Sequence, residues 1–378
     1  MPWKVQPMSE IRFAFVHHIL TGGLAVAEAC RRFQISRKTG YKWLERYRLA
    51  PEDPLVDRSR RPARSPARTP SDIAQAILDL RDRFGWGAAK IHALLRPTRP
   101  DLPSERTLTR ILRRHGRIPA APAEPRPADQ RFERNQPNQL WQIDFKGPLE
   151  VQRQRVLPLS LLDDHSRYLL ALTPCLDATM QTAWDVLWHT MANVGMPEAV
   201  LADNGFGNRQ HHRLGLGWFD ARLVRCGIRP LHGRPYHPQT QGKVERFHGT
   251  LERELWPRIR RDRLDDFAHD LDHWRRHVYN TLRPHEALDQ QPPVLHWRPS
   301  PRHRPDTLPP VLYPGGSLVR KVFSPGLIIW RHCRIRVGAG LVGQAVRLEI
   351  RDRDLVVYYA WKEVRCLVID RLDRYTVN

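Results

Sequence analysis

Apolar residues along this 378-residue chain change their period several times, and each change marks a different kind of structure. From Ser9 to about Arg48 they recur at helical spacing. Val26, Ala29 and Phe33 share one face, Gln34 and Ile35 make a break, and Thr39, Trp43 and Tyr47 resume the pattern. Ser36, just ahead of that last run, is a natural N-cap. The pattern predicts a helix-turn-helix whose third helix presents Arg37, Lys38, Tyr41 and Lys42 on its first turns, where side chains reach base edges and phosphates. A second unit, 71–117, repeats the theme through Ile73, Ile77 and Leu80, then Ile91, Leu94 and Leu95, then Leu108, Ile111 and Leu112 after Ser104. Arg106 and Arg110 give its last helix a basic outer face.

Beyond residue 138 the period shortens. Leu140–Phe145, Arg155–Leu162 and Tyr168–Thr173 read as strands, Thr179–Ala192 as a helix, and Ala199–Ala202 as a short buried strand. A helix over Phe219–Cys226, a short stretch Ile228–Leu231 and a helix around Glu245 follow, then another helix over Leu264–Tyr279. Strands in meander followed by alternating helix and strand predict an α/β layer fold with a mixed sheet. After a Pro-rich stretch, six short runs of β-formers from Ser317 predict a small all-β, barrel-like domain.

Composition sharpens this picture. A formal net charge of +22 points to a polyanion, with nucleic acid ahead of an anionic membrane. No apolar run approaches the ~20 residues of a spanning helix, and the first residues lack the apolar segment of a signal peptide. The expected location is therefore the cytoplasm, in association with the nucleoid. Five scattered cysteines without a C-x-x-C pair indicate neither a disulfide framework nor a thiolate zinc site. The 18 histidines lie mostly among Arg and Pro and do not form a zinc pattern.

Three acids stand out by position. Asp144 lies near the end of one predicted strand, Asp203 just past the end of another, and Glu245 on a helix at the edge of an apolar seam of Val244, Phe247, Leu251 and Leu255. Three carboxylates at element ends suit hard divalent cations, which take oxygen ligands, and two-metal phosphoryl transfer needs several such ligands. Gln241, Lys243 and His248 flank Glu245 as candidates for contact with a DNA end. Taken alone, Glu245 reads better as an exposed acid paired with a nearby base; only the three segments together overturn that reading.

The segments WQIDFKG, LLDDHSRY, LADNG, YHPQTQGKVERFHGTLE and YNTLRPHEAL, in that order over about 138–288, resemble the DDE transposases of bacterial insertion sequences, relatives of retroviral integrases. The resemblance implies a ribonuclease H-like core and assigns catalysis and metal binding to Asp144, Asp203 and Glu245. It implies two Mg²⁺ ions, with Mn²⁺ able to substitute, double-stranded DNA as partner at both element ends and target, and a homo-oligomer holding two ends in a synaptic complex. Asp163 and Asp164 are set aside as support for the strand pair. The interval between Asp203 and Glu245 is longer than in retroviral integrases, Gly249 and Glu252 replace lysines found there, and helix-turn-helix units replace their zinc module.

The expected organisation is a helix-turn-helix domain (1–56), an Arg/Pro linker (57–70), a second helix-turn-helix (71–117) and a linker (118–137). A catalytic core (138–290), a Pro-rich linker (291–314) and the β domain (315–378) follow. The expected activity is cleavage of element ends at terminal inverted repeats and joining of the freed 3′-hydroxyls to target DNA. A DNA-binding regulator with an inactive core and a purely hydrolytic metal-dependent nuclease are the alternatives.

Overall fold

The computed structural model describes residues 7–52, 55–57, 69–118, 134–203, 215–233 and 242–371. Gln241, most of the linkers 57–70 and 118–137, and part of the loop after Asp203 lie outside the described residues. The chain divides into two compact units, Met1–Arg68 and Thr69–Asn378.

In the first unit α1 (Met8–Leu20), α2 (Val26–Arg32) and α3 (Arg37–Leu49) enclose a core of Phe15, Val16, Ala29, Cys30, Trp43 and Leu44. Ser36 caps α3, its hydroxyl accepting the Thr39 amide at 3.1 Å. Gly40 lets α3 approach α2, since a Cβ there would sit 2.4 Å from the Cys30 sulfur. Arg37, Lys38, Tyr41 and Lys42 are all exposed on α3, with Lys42 lying over the Trp43 ring.

The second unit begins with α4 (Ser71–Phe84), α5 (Ala88–Leu95) and α6 (Glu105–Arg114) around Ile77, Trp86, Ile91, Leu108 and Leu112. Gly85 ends α4 in the left-handed conformation that glycine adopts without cost. Arg106 and Arg110 are exposed on α6.

The central sheet holds β1 (Trp141–Phe145), β2 (Leu149–Val151), β3 (Gln154–Asp163), β4 (Leu169–Cys175), β5 (Ala199–Ala202) and β6 (Arg229–His232). β1 runs antiparallel to β3 and parallel to β5, which in turn runs parallel to β6, while β4 lies antiparallel along β3. The result is a mixed sheet with a helical layer on each face. Strand alternation sends Trp141, Ile143, Leu159 and Leu161 to one face, against Ala183, Trp184 and Leu187 of α7 (Met180–Val194) and Phe219 and Leu223 of α8 (Trp218–Arg225). The opposite face packs Val156, Leu162 and Leu172 against α9 (Gly242–Thr250), a wide helical turn (Leu251–Leu255), α10 (Leu264–His273) and a second wide turn (Trp274–Tyr279). Full burial of each such side chain stabilises by about 1.5–3 kcal/mol.

Two expectations change here. The stretch 291–314 is no free linker but a strap across the sandwich. Trp297 stacks on Tyr168 at 4.1 Å, Ser300 donates to the Met196 carbonyl at 2.6 Å, and Arg225 donates to the carbonyls of Leu308 and Pro309. Prolines limit helix here to one 3₁₀ turn, Pro293–His296, and leave apolar and carbonyl groups free to pack.

The β domain also departs from expectation, because it is not a closed barrel. Its strands β7 (Leu318–Lys321), β10 (Ala345–Arg351), β11 (Asp354–Tyr359) and β12 (Lys362–Val368) make a four-stranded antiparallel sheet, and β8 (Leu327–Trp330) with β9 (Cys333–Arg336) makes a separate hairpin. Both share one core with Leu216, Ala221 and Val224 of the α8 region, so part of the surface that barrel closure would bury is covered by α8 instead.

Candidate active site

The sheet register brings the first two acids together. Ile143 of β1 pairs with Ala202 of β5, and the strands are parallel, so Asp144 and Asp203 are the next residues on the same edge and the same face. That face is the one α9 covers. Val244, Phe247 and Leu251 of the α9 run are buried, which leaves Glu245 exposed at the margin.

Electrostatics report the convergence. The Asp144 carboxyl is pushed up to about 7 by burial and by the negative charges of Asp203 and Glu245, partly offset by Lys146. Among the described residues, no three His, Cys, Asp or Glu side chains already close around one point. The donor set nevertheless fits a hard divalent cation, because carboxylate oxygens that repel one another are relieved by positive charge between them.

The side chains around Asp144 are fixed by packing. Ser160, its partner across β1 and β3, donates its hydroxyl to the Asp144 carbonyl at 3.1 Å and lies 2.8 Å from His248 Nε2. Since the serine proton is used, His248 Nε2 carries its own proton and donates to Ser160. Burial, reinforced by Lys146, pulls the His248 imidazole down to about 4, so it is neutral. Its Nδ1 stands 3.7 Å from an Asp144 carboxylate oxygen.

His248 was expected to face DNA, and the structure turns it inward. It lies four residues beyond Val244 and therefore on the buried face, not on that of Glu245. Lys243 is also placed differently from expectation. Its ammonium pairs at 2.7 Å with Asp164, whose side chain is fully buried. Gln142 Nε2 and the Arg134 amide donate to the same carboxylate.

The two aspartates of the LLDDHSRY turn thus divide the work. Asp163 accepts from the Asn138 and Ser166 amides and the Ser166 hydroxyl, holding the turn, while Asp164 anchors the start of α9 two residues before Glu245. Glu252, where retroviral relatives carry lysine, pairs with Lys146 at 2.5 Å. The paired acids before the turn were visible in the sequence, but nothing there named Lys243 as their partner.

The YNTLRPHEAL motif at the end of the core is structural as well. Asn280 donates to and accepts from the Leu169 backbone, closing the edge of β4. Arg283 forks onto Glu254 with two bonds of 2.8 Å.

Comparison with known proteins agrees with this architecture. Two integrase core domain models match residues 134–238 and 226–293, a helix-turn-helix domain model matches 14–63, and a homeodomain-like domain model matches 39–112. The Gag-Pro-Pol polyprotein of squirrel monkey retrovirus is 31% identical over 119 residues, 32% of this chain and 6% of the polyprotein. The insertion element IS476 uncharacterized 39.2 kDa protein of Xanthomonas euvesicatoria is 26% identical over 219 residues, 56% of this chain and 60% of that protein. The chain therefore spans only a small part of the polyproteins and under two thirds of the insertion-element protein.

Among solved structures, a simian T-cell lymphotropic virus intasome in complex with PP2A regulatory subunit B56 gamma matches at TM-score 0.36 and 20% identity, over 78% of this chain and 100% of that one. The HTLV-2 integrase catalytic core domain in complex with magnesium matches at TM-score 0.32 and 17% identity, over 43% of this chain and 97% of that one. Integrase core domain matches thus extend over residues 134–293, with helix-turn-helix domain matches ahead of them. The order of the matched domains and the insertion-element relative are consistent with the DDE transposases of bacterial insertion sequences.

Proposed function

We propose that this chain is a DNA transposase that cleaves the ends of its element and joins the freed 3′-hydroxyls to target DNA. The observation that carries the reading is the adjacency of Asp144 and Asp203 set by the β1–β5 register, together with the pull of Glu245 on the Asp144 carboxyl. Asp144, Asp203 and Glu245 would hold two Mg²⁺ ions, or Mn²⁺ in their place. When bound, such ions stabilise charge on the attacking and leaving oxygens of an in-line displacement.

The chain's own contribution is positioning. Lys243 and Asp164 fix the entry of α9, and so the place of Glu245. Ser160, held in turn by His248, fixes the strand that carries Asp144. No side-chain nucleophile is required, because water and then the 3′-hydroxyl attack phosphorus directly.

Arg37, Lys38, Tyr41 and Lys42 on α3, with Arg106 and Arg110 on α6, are exposed where a recognition helix reads a major groove. They would recognise the terminal inverted repeats, with Gln241 a further candidate at the DNA end. Joining two ends requires a homo-oligomeric synaptic complex. No helix among the described residues is long and apolar enough to cross a membrane, and the proposed setting is the cytoplasm at the nucleoid.

The test uses Asp203→Asn and a precut duplex with a free 3′-hydroxyl. The variant should bind ends as the unmodified protein does and lose all Mg²⁺-dependent cleavage and joining; joining at full rate would refute the site. Should the unmodified protein hydrolyse DNA but never join the precut end, it is a nuclease. Repression without any strand chemistry would make it a regulator.

A further inference from the structure

Beside the acid site lies a second concavity of about 250 Å³, walled by α5, α9 with its following turn, and the 279–287 segment. Its charged lining is almost wholly cationic: Lys90, Arg167, Lys243, Arg246, Arg253 and Arg283, against the single carboxylate of Glu286. Behind the wall Asp164 pairs with Lys243, and Glu254 pairs with Arg283 and more distantly, at 3.7 Å, with Lys90. Six cations therefore face three carboxylates, which leaves a surplus of three positive charges in one small cleft.

Three of these cations are well buried: Arg167, Arg283 and Lys243. Arg246 and Arg253 are exposed and make no ion pair among the described residues. The groups in the cleft feel one another. Burial, then Arg283, lowers the Lys90 ammonium despite Glu254, and burial with Arg283, Lys90 and Arg167 holds the His285 imidazole down to about 2. The volume falls below the ~300–1,000 Å³ usual for small organic ligands, and cations rather than apolar groups set its chemistry.

We propose that this cleft binds a phosphate of the DNA strand that leads away from the acid site, so that one strand is gripped between the Glu245 helix and the second helix-turn-helix. The inference rests on the transposase reading above. Arg246 is the residue after Glu245, and Arg253 lies eight residues beyond it, about 12 Å along the helical run at 1.5 Å per residue. A strand spaced at about 3.4 Å per phosphate along its axis covers that interval in two to four nucleotides. Lys90 carries the grip across to α5, whose unit also bears the exposed arginines of α6.

The experiment pairs the double variant Arg246→Ala/Arg253→Ala with backbone-neutral DNA. The full-length protein is titrated with a precut duplex of the element's end across a range of salt, and with duplexes bearing one methylphosphonate at each of the first eight phosphates from the cut. The double variant should reduce the slope of log K against log[salt] by about 1–2, since each phosphate contact contributes about 0.9. Methylphosphonates two to four nucleotides from the cut should weaken binding by the unmodified protein and have no effect on the variant.

An unchanged salt slope, or no position at which neutral phosphate matters, would overturn the proposal. So would inorganic phosphate raising the melting temperature of the unmodified protein but not of the variant while DNA binding stays the same, which would mark a pocket for free anions. If the protein shows the slope change but neither cuts nor joins, the transposase reading fails and the cleft stands. Joining with no slope change has the opposite meaning.

Discussion

The indole N–H of Trp86 donates to Glu254 at 2.9 Å, although the two residues are 168 positions apart. Trp86 belongs to the second helix-turn-helix, and Glu254 lies nine residues after Glu245 on the same helical run. The Arg258 guanidinium adds a weaker bond at 3.4 Å to the Asp82 carbonyl. The module expected to hang on a linker is therefore fastened to the helix that presents the third acid.

Glu254→Gln should free that module. The carboxylate is buried and forked onto Arg283, so its removal leaves a buried cation without its partner and costs about 3–5 kcal/mol. Trp86→Phe keeps an aromatic ring but loses the indole N–H bond and part of the buried bicycle, costing about 2–4 kcal/mol. Calorimetry should resolve a separate early transition for Glu254→Gln, and hydrogen exchange should assign it to residues 71–114. A single unshifted transition would contradict the account.

The pH dependence of stability has a specific source in His285. Burial, with nearby Arg283 and Lys90, holds its folded pKa down to about 2, whereas an unfolded imidazole titrates near ~6.5. The unfolded chain thus binds the extra proton in that window. The contribution of His285 is fully present above ~6.5 and declines as pH falls, by up to about 1.4 kcal/mol per pH unit. Urea unfolding at pH 7.5, 6 and 5 should show this decline, and His285→Gln should make it shallower by up to that amount.

Asp144 has the opposite sign. Its folded pKa is raised to about 7 from an ordinary value of 3.8. Stability linked to this group is complete below ~4 and is lost as pH rises through about 7. Asp144→Asn should therefore stabilise the metal-free protein at pH 8, by about 1–3 kcal/mol. Mg²⁺ or Mn²⁺ should raise the melting temperature of the unmodified protein, as expected for a ligand that binds only the folded state. The same addition should leave Asp144→Asn nearly unmoved; an equal rise in both would place the ions elsewhere.

Gly340 joins the β domain to α8. A Cβ there would stand 2.1 Å from the Gly217 carbonyl carbon, so Gly340→Ala must push the two apart. The Gly340 amide bond to the Leu216 carbonyl, at 3.2 Å, and the nearby Trp361 indole bond to the Val224 carbonyl, at 2.8 Å, should weaken together. Faster hydrogen exchange over 216–225, with the central sheet unaffected, is the expected readout.

Local pattern along the chain marked most of the elements and the three candidate acids. Short apolar runs that bring Asp144 and Asp203 to strand ends, and a helical seam that excluded Glu245, were legible because run length and 3.6-residue spacing are local properties of the backbone. The inward turn of His248 was also legible in principle, since it falls four residues after Val244. The tertiary structure alone decided which group fills each site. It paired Lys243 with Asp164 across 79 positions, bound Trp86 to Glu254, laid 291–314 over the sandwich and set α8 against the open β sheets. The physical reason is that a periodic pattern identifies a face to be buried or a charge to be neutralised, whereas the partner is chosen by geometry between segments far apart in the chain.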